Sequence, residues 1–186
     1  WDGPATEDYQ AVIEETLKRI KRHETGTAQL ERDGEEVAAV SRVLAMGAWY
    51  KALIDRQLIL VSGLHRYAAG ERKSSIPRVL AESESSIRKD LVHLLEELQT
   101  LAEKLPAGYE ELQASAIEFI EKVRAQDIPS PMLASEKAVL NEQPREAWRY
   151  ASNALEKMQD VLQQCQNNQF AKTCSGTIGF KVPQHL

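Results

Sequence analysis

The side chains of this sequence that could do chemistry are its histidines, carboxylates, serines and cysteines. A di-metal helical bundle requires a glutamate three residues before a histidine on two of its helices. Only one of the four histidines, His93, has a carboxylate at that offset, Asp90. Such a pair on one helix face is more often a solvated ion pair than a pair of metal ligands. We therefore predict no metal site. The residues three before the histidines are Ile20, Ser62, Asp90 and Val182.

The serines, glutamates and glycines give no catalytic or nucleotide-binding pattern. The serines lack a G-x-S-x-G turn, and the glutamate pairs are adjacent residues, which point in different directions on a helix. The glycine-containing stretch TCSGTIGF lacks the lysine of a phosphate-binding loop. We therefore predict no catalytic residue, no cofactor and no enzyme activity.

The cysteines, Cys165 and Cys174, lie at the end of the last predicted helix and just beyond it. Their spacing allows a local disulfide that would tie the tail to the helices and contribute about 2 to 3 kcal/mol. The alternative is a pair of reduced thiols in a cytoplasmic protein. Metal binding by these two residues alone would lack further ligands.

Aromatic side chains are the remaining candidates for a binding site, and four of them could form a partner surface. Two neighbouring aromatics on one helix cannot both face the core, so one residue of each close pair should lie at the rim or be exposed. An apolar cavity between Trp49 and Trp148 would indicate a small-molecule sensor, whereas an exposed apolar stripe would indicate a protein interaction module. The four residues are Trp49, Tyr50, Trp148 and Tyr150.

Composition favours helices with an ordinary charged surface. Apolar residues make up 42% of the chain and charged residues 27%, with a net charge of −5. Acidic and basic residues alternate along the chain, which argues against nucleic acid as a partner. The continuous apolar runs are shorter than the roughly 18 to 20 residues that span a bilayer, so we expect no membrane span. We predict one helical domain over 1–165 and an irregular tail over 166–186.

The stretch Val37 to Tyr67 is the element around which the rest must pack. It contains no proline, and apolar residues recur at helical spacing over a wide face. The turn GERKSS follows it, and the next apolar stripe, Val79 to Leu105, should return antiparallel to it. Stripes over Leu112 to Val123 and Ala147 to Leu162 complete the core. The sequence therefore predicts an all-α fold, an elongated antiparallel helical bundle with long N-terminal helices.

Two proline-containing segments divide the C-terminal half into a helical hairpin. The segment DIPSP, residues 127–131, stops one helix and starts the next. We predict a short helix over Met132 to Leu140 and a longer one that begins at Pro144.

Upstream of Val37, apolar residues follow the 4–3 spacing of a coiled coil, but the seam is weak around its centre. We favour a break at Gly26, which would fold the N-terminal arm, residues 6–30, back onto the bundle. The alternative is an unbroken helix whose seam meets another molecule. The seam comprises Tyr9, Ile13, Thr16 with Leu17, Ile20, His23, Thr27, Leu30, Gly34, Val37, Ser41, Leu44 and Ala48.

Between Leu53 and Cys165 the chain resembles the long-helix regions of large uncharacterised bacterial envelope proteins. The resemblance lies in RQLILVSGLHRY and LASEKAVLNEQPREAWRYASNALEKM. It implies a bacterial periplasmic or envelope setting and brings no activity or functional residue with it. Taken with the absent motifs, it leads us to expect a structural or protein-interaction module of a larger protein, able to bind a protein partner or to self-associate. The alternative is a small-molecule sensor or ligand-binding bundle.

Overall fold

The fold is all-α, as predicted. The structure is a computed structural model that describes residues 5–70, 76–165 and 170. Within those residues no strand occurs. Five helices follow one another: α1 Ala5–Ala68, α2 Ile76–Glu103, α3 Glu110–Ala125, α4 Pro129–Leu140 and α5 Pro144–Gln164.

The expected break at Gly26 is wrong, because α1 continues through Gly26 and Gly34. A glycine inside a helix costs about 1 kcal/mol relative to alanine. A break would cost more, since it creates two new helix ends and a second helix nucleus. The arm over 6–30 therefore does not fold back at this point. The chain divides into two compact units, Trp1–Ala39 and Val40–Leu186, so α1 contributes residues to both.

In the second unit, α1 and α2 pack antiparallel, as the short connection between them predicts. As the residue number increases along α1, the residue that it contacts on α2 has a lower number. The ring of Trp49 contacts His93, Gln57 donates a hydrogen bond to Glu84, and Gly63 lies against Leu80.

Helix α5 also runs antiparallel to α1. Tyr50 contacts Met158. Gln57, two helical turns further along α1, contacts Ala151, which lies two turns earlier on α5. The α5 face turned inward is rich in alanine, and small side chains allow two helix backbones to approach closely. Its buried residues are Ala147, Ala151, Ala154, Leu155, Met158 and Val161.

Helix α4 is a core element and not only the first half of a hairpin, because it packs against both α2 and α5. It begins at Pro129, three residues earlier than expected. Proline is tolerated in the first turn of a helix, where the backbone amides have no partner within the helix. Its inner face is buried at Met132, Ser135, Ala138 and Val139. The start of α5 at Pro144 is confirmed.

Within the predicted tail, residues 166–186, the structure describes one residue, and it belongs to the core. Phe170 is fully buried, its ring lies 4.9 Å from that of Phe119, and its backbone N–H donates to Ser115 Oγ at 3.3 Å. The chain after α5 is therefore anchored on α3 at this point. The rest of the predicted tail lies outside the described residues.

Helix α1 contains one stretch, within Gln29–Ala68, that is long and apolar enough to cross a membrane by length and composition. Only 33% of that window is buried inside the protein. A mostly buried core helix and a signal sequence near the N-terminus both pass the same test. The absence of a membrane span stays a prediction.

Candidate functional site

The four candidate aromatic residues do not form one surface. Tyr50 is fully buried, so the inclusion of this residue in a partner surface is wrong. Its hydroxyl donates to the carbonyl oxygen of Met158 at 3.1 Å, which satisfies the polar atom and allows the ring to fill the core. Its neighbour Trp49 is half-buried, and Tyr150 lies under the guanidinium of Arg149 at 5.2 Å.

Trp148 is the candidate aromatic that remains exposed, at 38%. Its ring meets that of His65 edge-on at 5.3 Å, whereas the ring of Trp49 meets His93 at 5.7 Å. Because Trp49 and His65 are separated by about 24 Å along α1 at 1.5 Å per residue, the two tryptophans line different ends of the bundle. The arrangement that would have indicated a sensor is therefore not formed.

The carboxylate and imidazole pair on α2 is divided between two partners. Asp90 accepts a hydrogen bond from Arg56 at 2.6 Å, and His93 lies against Trp49 and 3.7 Å from Glu97. Among the residues that the structure describes, no group of three or more potential ligands could hold a metal ion.

Cys165 is buried at the C-terminal end of α5. Burial raises the pKa of its thiol, and the nearby Lys122 acts in the opposite direction. Cys174 lies outside the described residues, so the disulfide between the two stays a prediction.

The structure brings together a polar cluster that the sequence analysis missed. Gln57 of α1, Glu84 of α2 and Ser135 of α4 are all fully buried. Gln57 Nε2 donates to Glu84 Oε1 at 3.0 Å and to the carbonyl oxygen of Ala151 on α5 at 3.3 Å. Ser135 Oγ donates to the carbonyl oxygen of Ala147 at 3.1 Å. Four helices therefore meet at one set of polar side chains.

Burial raises the pKa of Glu84 to about 7, and the Glu136 carboxylate adds to that effect. Gln57, Ser135 and the Arg88 guanidinium act in the opposite direction. Arg88 itself pairs with Glu136 at 2.9 Å, with both side chains mostly buried. At neutral pH, therefore, protonated and ionised Glu84 are both substantially populated.

Two oxygen atoms of this cluster are buried without a hydrogen-bond partner. They are Gln57 Oε1 and Glu84 Oε2, and Arg88 Nε is a third such atom close by. An unsatisfied buried polar atom costs about 1 to 3 kcal/mol. The chemistry available here is proton binding and hydrogen bonding by a carboxyl group in an apolar interior.

The sequence itself carries a signal for this cluster. Gln57 lies at a 3- and 4-residue spacing from buried residues on both sides, and so does Glu84. A polar residue at a core position of an amphipathic helix must find a partner inside the bundle. The buried neighbours in these stripes are Tyr50, Leu53, Leu60 and Leu64 on α1, and Ala81, Ile87, Leu91 and Leu94 on α2.

A second feature is the exposure of large apolar side chains along α1. Leu30 is 72% exposed and Val37 is 51% exposed. These two residues are seven apart and occupy equivalent positions of the seam predicted from the sequence. Further along the helix, Leu58 and Ile59 are also exposed.

No family model, no curated protein and no solved structure matches this chain.

Proposed function

We propose that this chain is a structural or protein-interaction helical module of a larger protein, without catalysis of its own. The observation that supports the proposal is the pair of exposed seam residues, Leu30 and Val37, on one side of α1. Large apolar side chains that recur at heptad spacing are typical of a helix that packs against another helix. In the first unit, none of the residues with described side chains is buried.

The partner is either a second copy of this chain or a helix of another protein. Burial of two such side chains contributes about 1.5 to 3 kcal/mol each. The residues predicted to extend the seam toward the N-terminus, Ile13, Leu17 and Ile20, would add to this contribution if they face the same partner. Their side chains lie outside what the structure describes, and their role here is taken from the sequence alone.

The test is a double substitution, Leu30→Asp with Val37→Asp. The fold of the second unit should be unchanged, and association should be weakened or lost, because two charges would have to be buried in the seam. The measurement is the molar mass by light scattering across a concentration series, together with far-UV circular dichroism. Association of the unmodified chain with itself would identify a second copy as the partner.

The matched control is Thr25→Asp with Gln29→Asp, which adds the same charges at exposed positions outside the seam. This control variant should associate to the same extent as the unmodified chain. The two variants are also compared in binding to the rest of the larger protein. If the seam variant and the control behave alike in both measurements, the seam is not an interaction surface.

A small-molecule sensor is the second candidate, and one observation favours it. Gln57, Glu84 and Ser135 converge between four helices, and two of their oxygen atoms have no partner. Polar groups that converge in an apolar interior are typical of ligand sites. Thermal-shift screening of small polar molecules would test it. A ligand whose stabilising effect disappears in Glu84→Leu would support a sensor, and a screen without such a ligand would count against it.

A further inference from the structure

We propose that Glu84 and Gln57 form a proton-controlled latch between α1 and α2, in which protonated Glu84 Oε2 donates a hydrogen bond to Gln57 Oε1. Loss of this proton to solvent leaves both oxygen atoms as acceptors and opens the bond. The latch consists of these two side chains and does not depend on the proposed interaction function.

The orientation of the Gln57 amide is fixed by its two donated hydrogen bonds. One hydrogen of Nε2 points to Glu84 Oε1 and the other to the carbonyl oxygen of Ala151. The opposite orientation would place Gln57 Oε1 against that carbonyl oxygen, and two acceptors would then face each other. Gln57 Oε1 is therefore the acceptor that the cluster leaves without a donor.

A neutral carboxyl group supplies the donor that this arrangement lacks. A carboxylic acid and a primary amide can exchange two hydrogen bonds, one from the amide N–H to the acid carbonyl oxygen and one from the acid O–H to the amide oxygen. The first of these bonds is present at 3.0 Å. The atoms of the second are the two oxygens without a partner, Glu84 Oε2 and Gln57 Oε1.

The surroundings of Glu84 do not compensate a negative charge well. On its own helix, Arg88 favours ionised Glu84, but its Nη2 pairs with Glu136 of α4 and its Nε–H is buried without a partner. Glu136 opposes ionisation of Glu84. Helix α1 contributes the neutral Gln57, and α5 contributes the Ala151 carbonyl oxygen, which accepts a hydrogen bond from Gln57. Ser135 of α4 uses its hydroxyl hydrogen on Ala147. Ionisation therefore places a charge at a four-helix junction that is organised for a neutral group.

The experiment is a pH titration of the intact chain by NMR. The resonance of the Glu84 side-chain carboxyl carbon should titrate with a midpoint near 7, and the side-chain amide resonances of Gln57 should shift with the same midpoint. A Glu84 midpoint in the ordinary range near 4.5, or Gln57 resonances that stay constant while Glu84 titrates, would overturn the latch.

Substitutions separate the latch from burial alone. Glu84→Gln keeps one donor and one acceptor at the same place, so the Gln57 amide should lose its titration near neutral pH. Glu96→Gln, an exposed glutamate on the same helix, should leave the titration unchanged. Ser135→Ala tests which atom accepts the hydrogen bond from protonated Glu84, Gln57 Oε1 or Ser135 Oγ. If the coupled shift of Gln57 persists in Ser135→Ala, Gln57 is the acceptor; if it disappears, Ser135 is the acceptor and the proposal is wrong.

Discussion

The Tyr50 hydroxyl donates a hydrogen bond to the carbonyl oxygen of Met158 at 3.1 Å, between two fully buried residues on α1 and α5. The same ring packs edge-on against Phe119 of α3 at 4.9 Å, and Phe119 contacts Phe170. One side chain therefore joins three helices, and Phe170, in the segment that follows α5, extends the same aromatic cluster.

Substitution of Tyr50 should separate its polar and apolar contributions. Tyr50→Phe removes one buried hydrogen bond and should cost about 1 kcal/mol of unfolding free energy. Tyr50→Ala also leaves a cavity and should cost about 3 to 5 kcal/mol. Urea denaturation measures both. The control is Tyr150→Phe at a half-buried position, which should change stability by less than about 0.5 kcal/mol. Equal losses for Tyr50→Phe and Tyr50→Ala would contradict this account of the core.

The connection between α4 and α5 offers a stabilising substitution. Glu142 has φ of 57°, and the bonds Gln143 N–H to Ala138 O and Glu142 N–H to Val139 O form a Schellman motif. Glycine is favoured at this position because a side chain is strained at positive φ. Glu142→Gly should therefore raise the unfolding free energy by about 1 kcal/mol.

The control for this substitution is the residue before it. Asn141 has φ of −89°, so Asn141→Gly relieves no strain and adds flexibility to the unfolded chain. It should lower stability slightly. Denaturation midpoints compare the two variants, and a gain at residue 141 equal to that at residue 142 would refute the argument from backbone strain.

The sequence predicts the helices of the second unit well because apolar periodicity and proline both act locally. The expected stripe over Leu112 to Val123 lies within α3, and α5 starts at the expected proline. The error at Gly26 has a physical cause. A glycine lowers helix stability at one position, and whether the helix ends there depends on what the flanking residues can form instead.

The polar cluster could not be located from periodicity alone. The sequence shows that Gln57 and Glu84 occupy core positions of their own helices, but their pairing requires the register between α1 and α2. That register depends on packing details such as the contact of Gly63 with Leu80, which no local pattern specifies. Ser135 cannot be placed in the cluster from the sequence for a similar reason. The prolines predict α4 as half of a hairpin and not as an element that packs between α2 and α5.

The crossing of α1 and α2 at Gly63 should tolerate no large side chain. A Cβ atom at this position would lie 3.0 Å from Leu80 Cδ2, so any substituent must displace Leu80. Gly63→Leu should destabilise the bundle by about 1 to 3 kcal/mol. Gly26→Leu is the control, because a Cβ atom there has nothing within 4 Å, Gly26 lies outside the predicted seam, and leucine is the better helix former. Chemical denaturation should show a loss only for Gly63, and an equal response would contradict the close approach.

A charge in the centre of the bundle should unfold it, whereas a charge on the outer side of α1 should not. Leu91 is fully buried and Ile59 is 72% exposed. Leu91→Asp would bury a carboxylate without a partner and should abolish the cooperative thermal transition. Ile59→Asp should shift stability by no more than about 0.5 kcal/mol. Circular dichroism on heating measures both, and a native-like Leu91→Asp protein would contradict the assignment of the core.

Glu84 should impose a pH dependence on the unfolding free energy of the protein. Its pKa is raised from an ordinary value near 4.5 to about 7 in the folded protein. Between these two values the folded state binds the proton and the unfolded state does not. The unfolding free energy must therefore fall as pH rises through this interval, and it becomes independent of Glu84 above it.

The full contribution of Glu84 is present below pH 4.5, and about 3 kcal/mol should be lost by pH 8. Denaturant unfolding at pH values from 4.5 to 8 gives the wild-type curve, and the difference from Glu84→Gln isolates this residue from the other carboxylates. The unfolding free energy of Glu84→Gln minus that of the wild type should be larger at pH 8 than at pH 5. The reason is that the neutral amide of the variant keeps a donor near Gln57 Oε1 at both pH values. Parallel curves for the two proteins would show that Glu84 titrates as an ordinary carboxylate.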